Sequence, residues 1–146
     1  MADIDLTKSE SLKAIDMFAN LDEIGLWHLS SLATIATVPA GTVLLQPGEE
    51  GQGLFVIIEG EVAVELQGGT TIDCSAGEFI GELSLLVDGL VHTGRVRAKT
   101  ETQCLAISRD DFSRLIETYP QIAVSMLHVL ARRLANTDAM LSARGA

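Results

Sequence analysis

Hydrophobic residues change their spacing twice along this chain. From Asp5 to about Ala36 the period is helical: Leu12, Ile15, Phe18 and Ala19 recur on one face, then Ile24, Trp27 and Leu32 mark a second segment. Two short helices are predicted, ended by Pro39 and Gly41 of "VPAG", since both residues punctuate helices. From Thr42 to Ile107 the pattern becomes short β-branched runs between glycine-containing turns: "TVLLQPGEEGQG", "LFVIIEGEVAVEL", "QGGTTIDCSAGEFIGE" and "RVRAKTETQCLAI". Turns this closely spaced predict an antiparallel sandwich or barrel, not a parallel sheet with crossover helices. Glu59-Gly60 and Gln67 to Gly69 supply the positive φ angles that hairpin turns demand.

The third region opens at Ser108. In "SRDD" a serine N-cap stands three residues before Asp111, a capping-box arrangement that starts a short helix with Phe112, Leu115 and Ile116 inward. That helix stops before Pro120, and a longer one runs to about Ser142. On the long helix Ala123, Leu127, Leu130, Leu134, Thr137 and Leu141 follow 4,3 spacing, an a/d seam for a partner helix, while Ile122, Met126 and Val129 form an adjacent stripe. One stripe can pack on the barrel and the other on a second copy; a single broad face on the protein's own core is the alternative.

The predicted architecture is mainly β with flanking helices: a jelly-roll-like antiparallel β-barrel with short N-terminal helices and a long C-terminal helix. A length of 146 residues fits one domain, with helices over 1–37, the barrel over 38–107 and helices over 108–146. Aromatic residues are only 4% of the chain, so the core is built mostly of Leu, Ile, Val and Ala. Cys74 and Cys104 lack a CxxC partner and sit in apolar strand-like runs, as buried thiols do; a disulfide or redox pair is the other reading.

Twenty acidic against ten basic residues give a formal charge of -10, which repels phosphodiester backbones and anionic membranes. Neither nucleic acid nor membrane is an expected partner, and any anion needs a local site. "MADIDLTKSE" has no basic n-region or apolar h-region, and no apolar run approaches the roughly 20 residues that span a bilayer, so a cytoplasmic protein is expected.

A local anion site is suggested by "FIGELSLLVDGLVHTGRVRAKT". Gly81 precedes a single apolar turn whose unpaired N–H groups at Leu83, Ser84 and Leu85 suit an anion, and the small Ser84 keeps the mouth open. Glu82 beside a phosphate would pair with a neutral donor such as a sugar hydroxyl. A glycine there also serves simply as a turn.

Together "PGEEGQGLFVIIEGEVAVEL", "AGEFIGELSLL", "VRAKTETQCLAI" and the "ARRL" of the last helix resemble the cyclic nucleotide-binding domain, in the form of the sensor domain of catabolite-activator-like bacterial regulators. The resemblance runs from about Phe18 to about Leu141. It implies a cyclic AMP or cyclic GMP ligand, no other cofactor, and a phosphate-binding cassette from Gly81 to Thr93. Gly81, Glu82, Leu83 and Ser84 would surround the ribose and cyclic phosphate, with Glu82 on the 2′-hydroxyl. Thr93 matches a Ser/Thr position, Thr137 falls where the family contacts adenine, and Asp138 stands where a serine of the partner subunit is expected.

Two positions depart from that pattern. His92 occupies the place of an arginine that faces the phosphate, and an imidazole is mostly neutral at pH 7. Losing a charge-assisted bond of roughly 1.5–3 kcal/mol weakens binding about ten- to a hundred-fold. Strand alternation would put Arg95 and Arg97 on the face away from His92, as solvated surface groups, unless an irregular strand start lets one replace it. Asp138 either accepts from the adenine amino group or is simply exposed.

Three functions compete. The first is a stand-alone sensor, expected to lack the DNA-binding domain of those regulators, that passes a ligand signal through its C-terminal helix to a homodimer partner or a downstream protein. A degenerate, non-binding dimerisation or interaction scaffold is the second. The third, a cupin-like enzyme, is disfavoured because His28, His92 and His128 are dispersed and no HxH, HExxH or P-loop occurs. No catalytic or metal-binding residues are therefore assigned.

Overall fold

The computed structural model describes residues 12, 15–49, 53–66, 68–81 and 94–145, with the side chains of the last helix described as far as residue 136. A 3-10 turn, Asp16–Phe18, precedes helix α1 (Glu23–Leu32). Eight described strands follow: β1 (Thr34–Val38), β2 (Val43–Leu45), β3 (Gly53–Glu59), β4 (Glu61–Glu65), β5 (Thr71–Ser75), β6 (Phe79–Ile80), β7 (Arg95–Ala98) and β8 (Thr102–Ser108). Helices α2 (Arg109–Thr118) and α3 (Pro120–Gly145) complete the chain.

The strands form two four-stranded antiparallel sheets, ordered β1-β8-β3-β6 and β2-β7-β4-β5. Successive strands mostly change sheet, which is the winding of a jelly roll. The β4–β5 connection stays in one sheet, and there the turn at Gly68-Gly69 joins strands in register from Glu65↔Thr71 to Glu61↔Ser75. Glu59-Gly60, expected as a second hairpin, is instead a corner: β3 pairs with β6 and β8, never with β4. A Cβ on Gly60 would lie 2.6 Å from the Glu101 carbonyl oxygen and 2.8 Å from Thr102 Oγ1, so the chain crosses between sheets where only a bare backbone fits. The buried Thr102 hydroxyl closes this corner, lying 2.9 Å from the Thr100 carbonyl and 3.2 Å from that of Glu61.

β3 explains why its sequence is an unbroken apolar run. Leu54 and Val56 face the helices, where they meet Leu12, Phe18, Leu29, Phe112, Leu115, Ile122 and Met126; Phe55 and Ile57 face into the barrel with Val62, Cys74, Ile80 and Val96. Covered on both sides, the strand loses the polar alternation of a half-exposed one. The capping expectation at Ser108 holds, with its Oγ accepting from the Asp111 N–H at 3.2 Å and Phe112 and Leu115 buried.

The N-terminal region departs from expectation in two ways. β1 starts at Thr34, inside the stretch read as helical, because "TIATV" pairs along its whole length with β8. The phase of α1 also differs: Gly25, Leu26 and Leu29 are buried, while Ile24 is 65% and Trp27 47% exposed. Asp22 sets this phase by capping Gly25 N–H at 2.8 Å, and Gly25 lies against the Tyr119 ring, which leaves its neighbours Ile24 and Trp27 on the outside. Ala19 is likewise exposed. Tyr119 Oη and His28 Nδ1, 2.9 Å apart, tie α1 to the junction of α2 and α3.

Candidate functional site

Two described segments, the end of β6 and the start of β7, border residues 82–93 and mark the mouth of the barrel. β6 ends there at Gly81, whose φ is +90° and whose added Cβ would stand 2.8 Å from the Gly53 carbonyl oxygen and 3.9 Å from Leu45 Cδ1. Gly94, just before β7, packs on the last residues of β4, with Glu65, Leu66 and Val64 within 3.0–3.5 Å of where a Cβ would be. Gly81 has a packing reason to be glycine besides any ligand, because the β6 backbone crosses Gly53 too closely for a side chain.

Gly53 and Leu45, the residues nearest Gly81, also help to wall a cavity of about 750 Å³. Its walls come from Leu44 and Leu45 of β2, Gly53 to Phe55 of β3, Ala106 to Ser108 of β8, and Leu32 and Thr34, with Glu49 and Asp111 at its edge. That volume lies in the range of small-molecule sites, and its walls mix apolar side chains with polar surface. The described residues lining it include two carboxylates and no cation. A phosphate at this end must therefore find its donors in other residues.

Of the residues expected to hold ligand, Gly81 is placed at this mouth. Glu82, Leu83, Ser84, His92 and Thr93 lie outside the described residues. Thr137 and Asp138 are on α3, in the part where only the backbone is described.

The orientation of Arg95 and Arg97 is described. Val96 and Ala98 are buried and Val96 belongs to the barrel core, so Arg95 and Arg97 point outward, as strand alternation requires. Arg97 Nε donates to Glu65 Oε1 at 2.8 Å, and Arg95 Nε to Gln46 Oε1 at 3.2 Å. Neither stands on the side that Val96 turns to the barrel interior.

One functional candidate escaped sequence reasoning. Arg133, in the "ARRL" of α3, donates from Nη2 to the Phe79 carbonyl at 2.7 Å and lays its guanidinium 4.5 Å from the Phe79 ring centroid. Spacing alone did not separate it from its exposed neighbour Arg132. Elsewhere, Cys74 and Cys104 are buried thiols, and burial pushes the Cys104 thiol pKa up. The Lys99 ammonium pKa is raised by its hydrogen bond and charge contact with Asp73. Among the described residues no group of three or more His, Cys, Asp or Glu could hold a metal, and no helix is long and apolar enough to cross a membrane.

An antiparallel jelly roll with a long helix tied to its β6 strand is an architecture that several protein families share. Comparison with known proteins specifies which. The cyclic nucleotide-binding domain family matches residues 35–119, more than half of the chain, and the chain belongs to that family. It is 35% identical over 117 residues to a cAMP-activated global transcriptional regulator of Salmonella typhimurium, covering 77% of this chain and 55% of that protein. A cyclic nucleotide-gated potassium channel of Rhizobium etli is 33% identical over 110 residues, covering 75% of this chain and 30% of the channel. The crystal structure of the Thermus thermophilus catabolite activator protein superimposes with a TM-score of 0.75 at 29% identity, covering 87% of this chain and 62% of that one. The chain thus spans a little over half the length of the regulators it matches.

Proposed function

We propose that this chain is a cyclic nucleotide sensor, with a cAMP-like ligand held at the barrel mouth by the stretch Gly81 to Thr93 and its occupancy passed on through α3. The observation that carries this reading is the family match over the barrel, together with a cavity of about 750 Å³ whose walls include Gly53 and Leu45, the two residues nearest Gly81. The regulators and the channel it resembles are described as cAMP-activated and cyclic nucleotide-gated, which supports a regulatory ligand and a binding role over a catalytic one. Glu82 is assigned to the ribose hydroxyl, Leu83 and Ser84 to the phosphate with His92 and Thr93, and Thr137 and Asp138 to the base.

A homodimer through the exposed stripe of α3, with the second copy or a downstream protein receiving the signal, completes the proposal. Calorimetric titration of the purified chain with cAMP and with cGMP tests it. Saturable binding by either supports the sensor; no heat at millimolar concentrations of both removes it.

A second reading is favoured by one observation. Arg95 and Arg97 are turned outward and engaged with Gln46 and Glu65, which speaks against either standing in for the arginine that His92 replaces. On that reading the fold is retained as a dimerisation or interaction scaffold, and the same titration separates the two.

A further inference from the structure

Phe79 is fully buried, pairs across β6 and β3 with Val56, and stands two residues before Gly81 at the mouth. Arg133 reaches it from α3 with two contacts of different kinds, a hydrogen bond to its carbonyl and a guanidinium over its ring. The position along the helix matters as much as the chemistry. Ile122 and Met126 bury the first turns of α3 in the core, but Ala131, Arg132 and Leu134 to Asn136 are exposed, so Arg133 is the last described side chain of α3 that is not exposed. The distal part of α3 is therefore held to the barrel at a strand that ends in the mouth.

We propose that Arg133 is a positioning residue that joins the mouth to the distal half of α3, so that a shift of β6 on ligand binding moves the helix, and the reverse. The proposal rests on the sensor reading and adds the route by which occupancy reaches the helix. Arginine suits the task because one planar group both donates to a carbonyl and stacks on a ring; lysine offers a single point charge.

The test is amide hydrogen exchange on the full chain and on Arg133→Gln, Arg133→Lys, Phe79→Leu and the double variant Arg133→Gln/Phe79→Leu, with Ile122→Val as a control that loosens the core of the same helix elsewhere. Without ligand, Arg133→Gln should speed exchange about ten-fold or more both at Phe79 to Gly81 and in α3 beyond residue 133, because a hydrogen bond from a charged donor is lost. Arg133→Lys should restore part of that protection, and the double variant should exceed either single change by less than their sum. Unchanged exchange at β6 in Arg133→Gln, or the same pattern in Ile122→Val, overturns the joint.

With saturating cAMP, slowed exchange in distal α3 should appear in the parent and be lost in Arg133→Gln although calorimetry still shows binding. An undiminished helix response in Arg133→Gln overturns the joint and leaves the sensor standing. A parent that binds neither cAMP nor cGMP overturns the sensor reading and the transmission with it.

Discussion

Arg97 and Glu65 form an ion pair of 2.8 Å on the outer face of the barrel, across the β4–β7 ladder, with both side chains substantially exposed. An arginine engaged there is turned away from the barrel interior, and its neighbour Arg95 is engaged with Gln46 on the same face. Arg97→Ala and Arg95→Ala should therefore leave cAMP affinity within about two-fold of the parent, and an exposed pair of this kind is worth only about 0–1 kcal/mol to stability. His92→Arg, in contrast, should raise affinity about ten- to a hundred-fold by restoring a charge-assisted bond to phosphate. Calorimetry on the three variants checks this; a large loss in Arg97→Ala would put the arginine in the site after all.

If His92 faces the phosphate, its protonated form is the one that binds. An unperturbed imidazole has a pKa of about 6.5, so its charged fraction rises roughly twenty-five-fold between pH 8 and pH 6. Affinity for cAMP should climb as pH falls through that window, by up to that factor, and His92→Arg should abolish the slope. A parent whose affinity is flat from pH 8 to 6 removes His92 from the phosphate.

How much of this was legible beforehand depended on whether the signal was local. Ser108 needs only Asp111 three residues away to cap a helix, and that reading held. The unbroken run Leu54 to Ile58 gave a strand without its partners, and covering by helices on one face and barrel core on the other accounts for its lack of alternation. Gly60 was read correctly as a turn but not as a corner, since what excludes a side chain there is Glu101 and Thr102, distant in sequence. The phase of α1 depended on Tyr119 packing at Gly25, again a long-range contact. At the mouth, the contact of Gly81 with the Gly53 carbonyl and that of Arg133 with Phe79, 54 residues away, are both long-range and left no local trace in the sequence.

Among the described glycines Gly60 is the most tightly enclosed. Its φ of +101° is strained for any L side chain, and the nearest atoms to an added Cβ are backbone and a buried hydroxyl that already serves the corner. Gly60→Ala should cost at least about 2 kcal/mol, read as a lower urea midpoint with an unchanged slope. A loss below half of that would mean the corner shifts easily.

The Cys104 thiol is almost fully buried, and burial raises its pKa by penalising the thiolate. Alkylation proceeds through the thiolate, so iodoacetamide at pH 8 should modify Cys104 in the folded chain at least about ten-fold more slowly than in the urea-unfolded chain. The sign for stability follows. The unfolded thiol ionises near pH 8.5 while the folded one stays protonated, so the unfolded state binds fewer protons above that pH and stability falls as pH rises. Cys104→Ala should flatten that part of the alkaline profile, and equal alkylation rates in the two states would contradict the burial.

The last helix carries a second apolar stripe that its own core does not use. Ile122 and Met126 are buried against the barrel, with Val129 and Leu130 partly so, yet Leu127 is 62% and Leu134 63% exposed, seven positions apart on one face, with Val124 also 52% exposed. Two copies meeting along that face would cover both leucines of each helix at 3.5-residue spacing. Covering a leucine contributes about 1.5–3 kcal/mol at full burial, and the double variant Leu127→Gln/Leu134→Gln removes four such side chains from a dimer. Even at half that burial, the loss of about 3–6 kcal/mol raises the dimer dissociation constant about a hundred- to ten-thousand-fold. Analytical ultracentrifugation should accordingly find the parent dimeric at micromolar concentration and the variant monomeric. Folding should be unaffected, because Ile122 and Met126 still anchor the helix. A parent that sediments as a monomer across that range rules out this face as the dimer seam.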